Sequence, residues 1–195
     1  MKVFKPEDFL KDDVSIETIR SLPNKHIEDK VVLGIDIYKY SQYPDIEQVY
    51  IPVIFERFYS MAVYGVKNNE EYLFSGYGEN ITDYKKQFIS TGDGGFQIFK
   101  NVLQAIVFAS YFQVGLKRYC TGGSTNEIDK NLYKLVDSLD LRFAITLDKI
   151  YEYKDNYFGP AIINNARILS NDSLNRMLID FNSIQWLTKT INSPE

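Results

Sequence analysis

The chain has 195 residues, 45% of them hydrophobic and 25% charged, with a net charge of −4. That length suits one substantial domain, and the acidic balance argues against a broad nucleic-acid-binding surface. A single cysteine (Cys120) and a single histidine (His26) exclude an internal disulfide framework and a Cys/His zinc site. Any bound metal would therefore be held by oxygen, which favours Mg2+ or Mn2+. The segment MKVFKPEDFLKDD is too charged for a signal peptide, and the longest apolar stretch, 102–112, is too short to span a membrane. The expectation is a cytoplasmic protein with no membrane or nucleic-acid partner.

In chain order, residues 1–29 are charged and weakly periodic, with a short helix possible over 15–21 and His26 reading as a surface histidine. VVLGIDIY (31–38) is nearly continuous in apolar character, as a buried central strand should be, and carries Asp36 at its end. The loop KYSQYPD follows. Ile51, Ile54, Phe55, Phe58 and Ala62 then fall at helical spacing, with Pro52 marking a helix start or a kink. Residues 67–83 read as a loop or irregular insertion. FISTGDGGFQIF (88–99) reads as a β-hairpin, its Asp-Gly and Gly-Gly pairs supplying positive φ. Val102, Ala105, Ile106, Ala109 and Phe112 define one face of a helix over 100–118. The stretch 121–130 reads as a flexible loop and LRFAITLDKIYEY (141–153) as a long strand. FGPAIINNARILS (158–170) suggests a helix with Pro in its first turn. RMLIDF (176–181) is a short strand, and NSIQWLTK a final helix or turn.

This order predicts an α+β fold with a ferredoxin-like β-α-β-β-α-β core, both core helices on one face of an antiparallel sheet, and an additional C-terminal helix and strand. In that arrangement the first strand lies beside the hairpin, so Asp36 and Asp93 approach one another. Two carboxylates placed that way suit divalent ions, which can activate an attacking oxygen and neutralise a leaving pyrophosphate. The loop after Asp36 offers N–H groups to phosphates as it enters a helix.

Taken together, VVLGIDIYKYS, FISTGDGGFQIF and YFGPAIINNARIL resemble the catalytic domain of class III nucleotidyl cyclases, over about residues 30–182. The family shows a hydrophobic strand ending in Asp-Ile, a Gly-Asp hairpin and a late Gly-x-x-Val-Asn-x-Ala-x-Arg helix. The resemblance implies a catalytic domain over 30–195, with 1–29 a separate N-terminal segment. It implies that Asp36, Asp93 and the carbonyl of Ile37 hold two Mg2+ or Mn2+ ions. One would help deprotonate the ribose 3′-hydroxyl that attacks the α-phosphate, and the other would hold the triphosphate. Tyr38, Lys39, Tyr40 and Ser41 would line the substrate loop. Arg167 falls on the transition-state arginine, which in the family reaches across a head-to-tail homodimer, so each site is composite. Two departures stand out. Ile163 occupies the position of the helix asparagine, with Asn164 one place late, and Lys189 is only a loose counterpart of the late triphosphate-binding lysine.

Family members that use purines read the base with a side chain three residues before the Gly of Gly-Asp, a position held here by Ile89, and with a later residue that falls near Asn156. An apolar Ile89 neither donates to adenine nor accepts from guanine at N1. In this the chain is most similar to the stand-alone bacterial pyrimidine cyclases of the Pycsar anti-phage systems, which make cyclic UMP or cyclic CMP for a separate effector. Tyr50, near the helix start, would narrow the pocket against purines, and UTP is the preferred substrate. The alternatives are an adenylate cyclase with an atypical base pocket and an inactive cyclase-like dimerisation module. A diguanylate-cyclase-like palm is disfavoured because the acid precedes the Gly pair.

Overall fold

A strand whose central residues are all apolar has to be covered on both sides, and the architecture follows from that requirement. The structure, a computed structural model, describes residues 27–78, 80–153, 156–172 and 176–192. The helix expected over 15–21 and His26 lie outside them. The first strand, β1 (Ile27–Ile37), starts earlier than its apolar run suggested because its charged end is still paired with β4 (Leu141–Tyr153). The hairpin strands are β2 (Phe88–Ser90) and β3 (Gly94–Phe99), and β5 (Asn156–Phe158) and β6 (Met177–Ile179) complete the sheet. The order is β2-β3-β1-β4-β5, with antiparallel pairings throughout this path, and β6 runs parallel to β4. The first strand does lie beside the hairpin.

Alternate residues of β1 serve two cores. Val31, Leu33, Ile35 and Ile37 face the long helices α1 (Asp45–Asn69) and α4 (Val102–Cys120), in a core crowded with rings such as Phe58, Phe112 and Phe143. Val32 faces the second core with Phe96, Ile98, Ala144, Ala161 and Leu169. That face is covered by α6 (Pro160–Asn171), whose first position is the expected proline. The final helix, α7 (Phe181–Ile191), brings Trp186 and Leu187 to the first core.

Three local expectations are corrected. The polar stretch 67–83 is not all loop. Lys67 belongs to the end of α1, and the short helices α2 (Glu71–Phe74) and α3 (Ile81–Lys85) follow, anchored by buried Phe74 and Tyr84. The loop expected over 121–130 yields at Glu127 to α5 (Glu127–Tyr133), which Asn126 caps and which Arg57 ties to α1 through the buried carboxylate of Asp129. Pro52 does not start a helix, because α1 runs from Asp45 through it. A proline at this position deprives the Gln48 carbonyl of its helical donor. The Tyr40 hydroxyl supplies a replacement, donating to Gln48 O at 2.9 Å. Tyr40→Phe should therefore cost about 1–2 kcal/mol in urea unfolding. In a Pro52→Ala background, where the restored amide serves Gln48, the same change should cost much less; equal costs in both backgrounds would remove this explanation.

Candidate active site

Two carboxylates meet at one corner of the sheet because the ladder between β1 and β3 continues one step past its last residue pair. Asp36 pairs with Gly94, and the Ile37 amide donates to the carbonyl of Asp93 at 2.9 Å. This places the hairpin tip against the end of β1. Gly94 makes the approach possible. Its φ is +154°, and a Cβ there would lie 2.1 Å from the Ile35 carbonyl oxygen and 2.9 Å from the Asp36 Cα. Gly92, with φ +94°, turns the loop in open space. Asp93 itself is half-buried and accepts from the Thr91 hydroxyl at 3.2 Å.

Asp36 faces the second core side of the sheet and meets Arg142, its direct partner on β4. Nε of Arg142 donates to Asp36 Oδ2 at 2.7 Å, and Nη2 donates to the same oxygen. The third nitrogen, Nη1, donates to the Asp172 carbonyl at 2.8 Å, and the guanidinium lies 5.2 Å from the Tyr38 ring centre. Both side chains of the pair are over four-fifths buried, at 16% and 19% exposed, so water screens the pair little. Burial pushes the Asp36 carboxyl above its ordinary range. The hydrogen bond and charge of Arg142 pull it back, and the neighbouring charge of Asp93 adds to the rise. Asp93 thus acts on Asp36 as a like charge, and the corner favours a cation. Arg142 was not singled out in the sequence; the signal available was its place opposite Asp36 once the strands are registered.

The donor set fits a hard divalent ion. Two carboxylates of neighbouring strand ends are oxygen ligands of the right kind, and Asp36 already holds a guanidinium as a stand-in cation. No group of three or more His, Cys, Asp or Glu gathers among the described residues, so further ligands would be backbone, water or substrate. After Ile37 the chain turns through Lys39, the only non-glycine described residue with positive φ (57°), into a 3-10 turn at Tyr40–Gln42. Lys39 and Ser41 are exposed, Lys39 Nζ lies 5.2 Å from the Tyr38 ring centre, and the Tyr40 hydroxyl is committed to Gln48. Strain of this kind in a loop beside two acids is where function is often found.

The remaining expected residues divide. Ile89, opposite Phe96, packs against the second core, on the Asp36 face of the sheet. Tyr50 packs instead into the first core, so it and Ile89 are not brought into one wall. Asn156 lies past the far end of β4, and Lys189 is exposed in the last turn of α7; neither is joined to Asp36 within the chain. On α6, Ile163 and Arg167 are exposed, and Arg167 meets no carboxylate among the described residues. Asn164 reaches only Asp148, at 3.5 Å. The asparagine with a structural role is Asn165, fully buried, which donates to the Val32 and Ala144 carbonyls at 2.9 Å and fills the space left by Gly34. Its signal was a polar doublet facing a glycine in an otherwise apolar strand.

No protein-family model matches the chain, and no curated protein matches it. The likeness is to solved structures, and it is one of fold. An adenylate/guanylate cyclase/hydrolase from Silicibacter pomeroyi superposes with a TM-score of 0.55 at 14% identity, over 86% of this chain and 84% of that one. Structures of a bacterial light-regulated adenylyl cyclase align at 18% and 17% identity with TM-scores of 0.42 and 0.46. They cover 74% and 82% of this chain, which spans less than half of theirs (40% and 45%). The chain therefore shares the α+β fold of the Silicibacter pomeroyi cyclase/hydrolase. No described helix is long and apolar enough to cross a membrane.

Proposed function

We propose that residues 30–195 form a class III nucleotidyl cyclase domain that converts a pyrimidine nucleoside triphosphate, UTP in preference to CTP, to the 3′,5′-cyclic monophosphate and pyrophosphate. The observation that carries this reading is the union of Asp36 and Asp93 at one sheet corner by the Ile37–Asp93 backbone bond. Asp36, Asp93 and the Ile37 carbonyl would hold Mg2+ or Mn2+, two ions per site, which when bound supply the charge that acidifies the ribose 3′-hydroxyl and neutralises the triphosphate. The 3′-oxygen loses its proton and bonds to the α-phosphorus as the bond to pyrophosphate breaks. Tyr38, Lys39, Tyr40 and Ser41 lie next along the chain, where the phosphates would be received.

Arg167 supports a composite site in a head-to-tail homodimer: exposed on α6 and without an acidic partner among the described residues, it is available to a second chain. Ile89 supports the pyrimidine. It presents no hydrogen-bonding group on the Asp36 face, and a site without a polar partner at that point cannot discriminate a purine edge. The product would act as a second messenger in anti-phage defence through a separate effector. A second reading, an inactive cyclase-like dimerisation module, draws on the ion pair that already engages Asp36.

The test is direct. The protein is incubated with Mn2+ and each of the four nucleoside triphosphates, and products are identified by mass. Cyclic UMP as the main product is expected. Cyclic AMP as the main product would overturn the pyrimidine assignment, and no cyclic product from any of the four would leave the module reading.

A further inference from the structure

The guanidinium of Arg142 is held on three sides. Two of its nitrogens converge on Asp36 Oδ2, the third donates to the Asp172 carbonyl, and its central carbon lies 5.2 Å from the Tyr38 ring centre. Asp172 is the residue that ends α6, the helix carrying Arg167, and its own carboxylate accepts from Arg176 at 2.9 Å. One side chain thus connects the end of β1 to the end of α6. We infer that Arg142 is a built-in counter-cation that competes with divalent metal for Asp36 and transmits the outcome to the C-terminal turn of α6.

The physical argument has two parts. A full positive charge within hydrogen-bonding distance of a mostly buried carboxylate lowers that carboxylate's attraction for a second cation, because little water intervenes. Relieving the repulsion requires the guanidinium to move from Asp36, and its remaining hydrogen bond is the one to the Asp172 carbonyl, with the Tyr38 ring beside it. The movement is therefore felt where α6 ends. Metal occupancy and the setting of the Arg167 helix become linked through a single residue, and by reciprocity anything that fixes α6 changes metal affinity by the same factor.

The inference rests on the metal site proposed above, and the experiment separates the two. Mn2+ binding to the full chain without nucleotide is measured by loss of the free-ion paramagnetic resonance signal. Arg142→Gln keeps a hydrogen-bond donor but removes the charge, and is expected to bind Mn2+ about tenfold more tightly than the native protein. Arg142→Lys, which retains the charge, is expected to bind close to the native affinity. Equal or weaker binding by Arg142→Gln beside clear native binding would overturn the competition and leave the metal site standing. No saturable binding by either protein would remove both. Should Arg142→Gln fail to fold, native protein decides alone. Mn2+ should speed amide hydrogen exchange over 169–172, and unchanged exchange at metal saturation overturns the link to α6.

Discussion

Asp93→Ala is expected to lower the proposed cyclase turnover at least about a thousandfold, the scale of losing a group that organises charge in the transition state, while the melting midpoint moves by only a few degrees. The second half of that expectation follows from its surroundings. Asp93 is half-buried at a loop tip, and its carboxylate accepts from the Thr91 hydroxyl at 3.2 Å. Its backbone carbonyl, which joins the hairpin to Ile37, survives the substitution. Asp36→Ala should be equally inactive but is a poorer experiment. It strands Arg142 with its charge uncompensated in a site where the side chain is only 16% exposed, a change that costs about 3–5 kcal/mol. Loss of activity there mixes chemistry with folding. Steady-state cyclic product and thermal unfolding measured on both variants separate the effects, and an Asp93→Ala protein that turns over normally would take Asp93 out of the site.

The second large effect is at Gly94. Gly94→Ala should destabilise the fold by about 3 kcal/mol or more, combining strain at positive φ with a collision against backbone that cannot swing aside. The added Cβ would sit 2.1 Å from the Ile35 carbonyl oxygen, so the β1–β3 ladder must open at the point where the two acids meet. Activity is expected to fall with stability. Gly92→Ala is the contrast: its Cβ would meet nothing within 4 Å, leaving only a backbone cost of about 1–2 kcal/mol. Denaturant unfolding of the two variants side by side checks the pair. Equal losses would mean that close approach to β1 is not what the second glycine of the hairpin provides.

Both glycines show how the sequence could be read and where reading stopped. GDGG announces a turn because positive φ is a local property, and Pro160 announces a helix start for the same reason. The adjacency of β1 and the hairpin followed from topology, and with it the meeting of Asp36 and Asp93. Arg142 was hidden because its importance depends on strand register: one residue of slip would turn it to the opposite face. Asn165 was hidden for a related reason. A buried amide in a helix looks like a polar interruption until Gly34 and two strand carbonyls are set beneath it. Tyr50, expected at the pocket from its place near a helix start, is half-buried against the first core, a placement that the rotation of α1 sets. Helical phase relative to a sheet is a tertiary quantity, and no spacing along the chain encodes it.

The bond from Tyr40 to Gln48 also fixes where the loop after Asp36 can lie. Its acceptor is a carbonyl that α1 orients but, because of Pro52, cannot itself satisfy. The loop is thus tethered at two ends, by the strand it leaves and by the helix it enters. The segment next to Asp36 takes its position from the start of α1 as much as from the sheet.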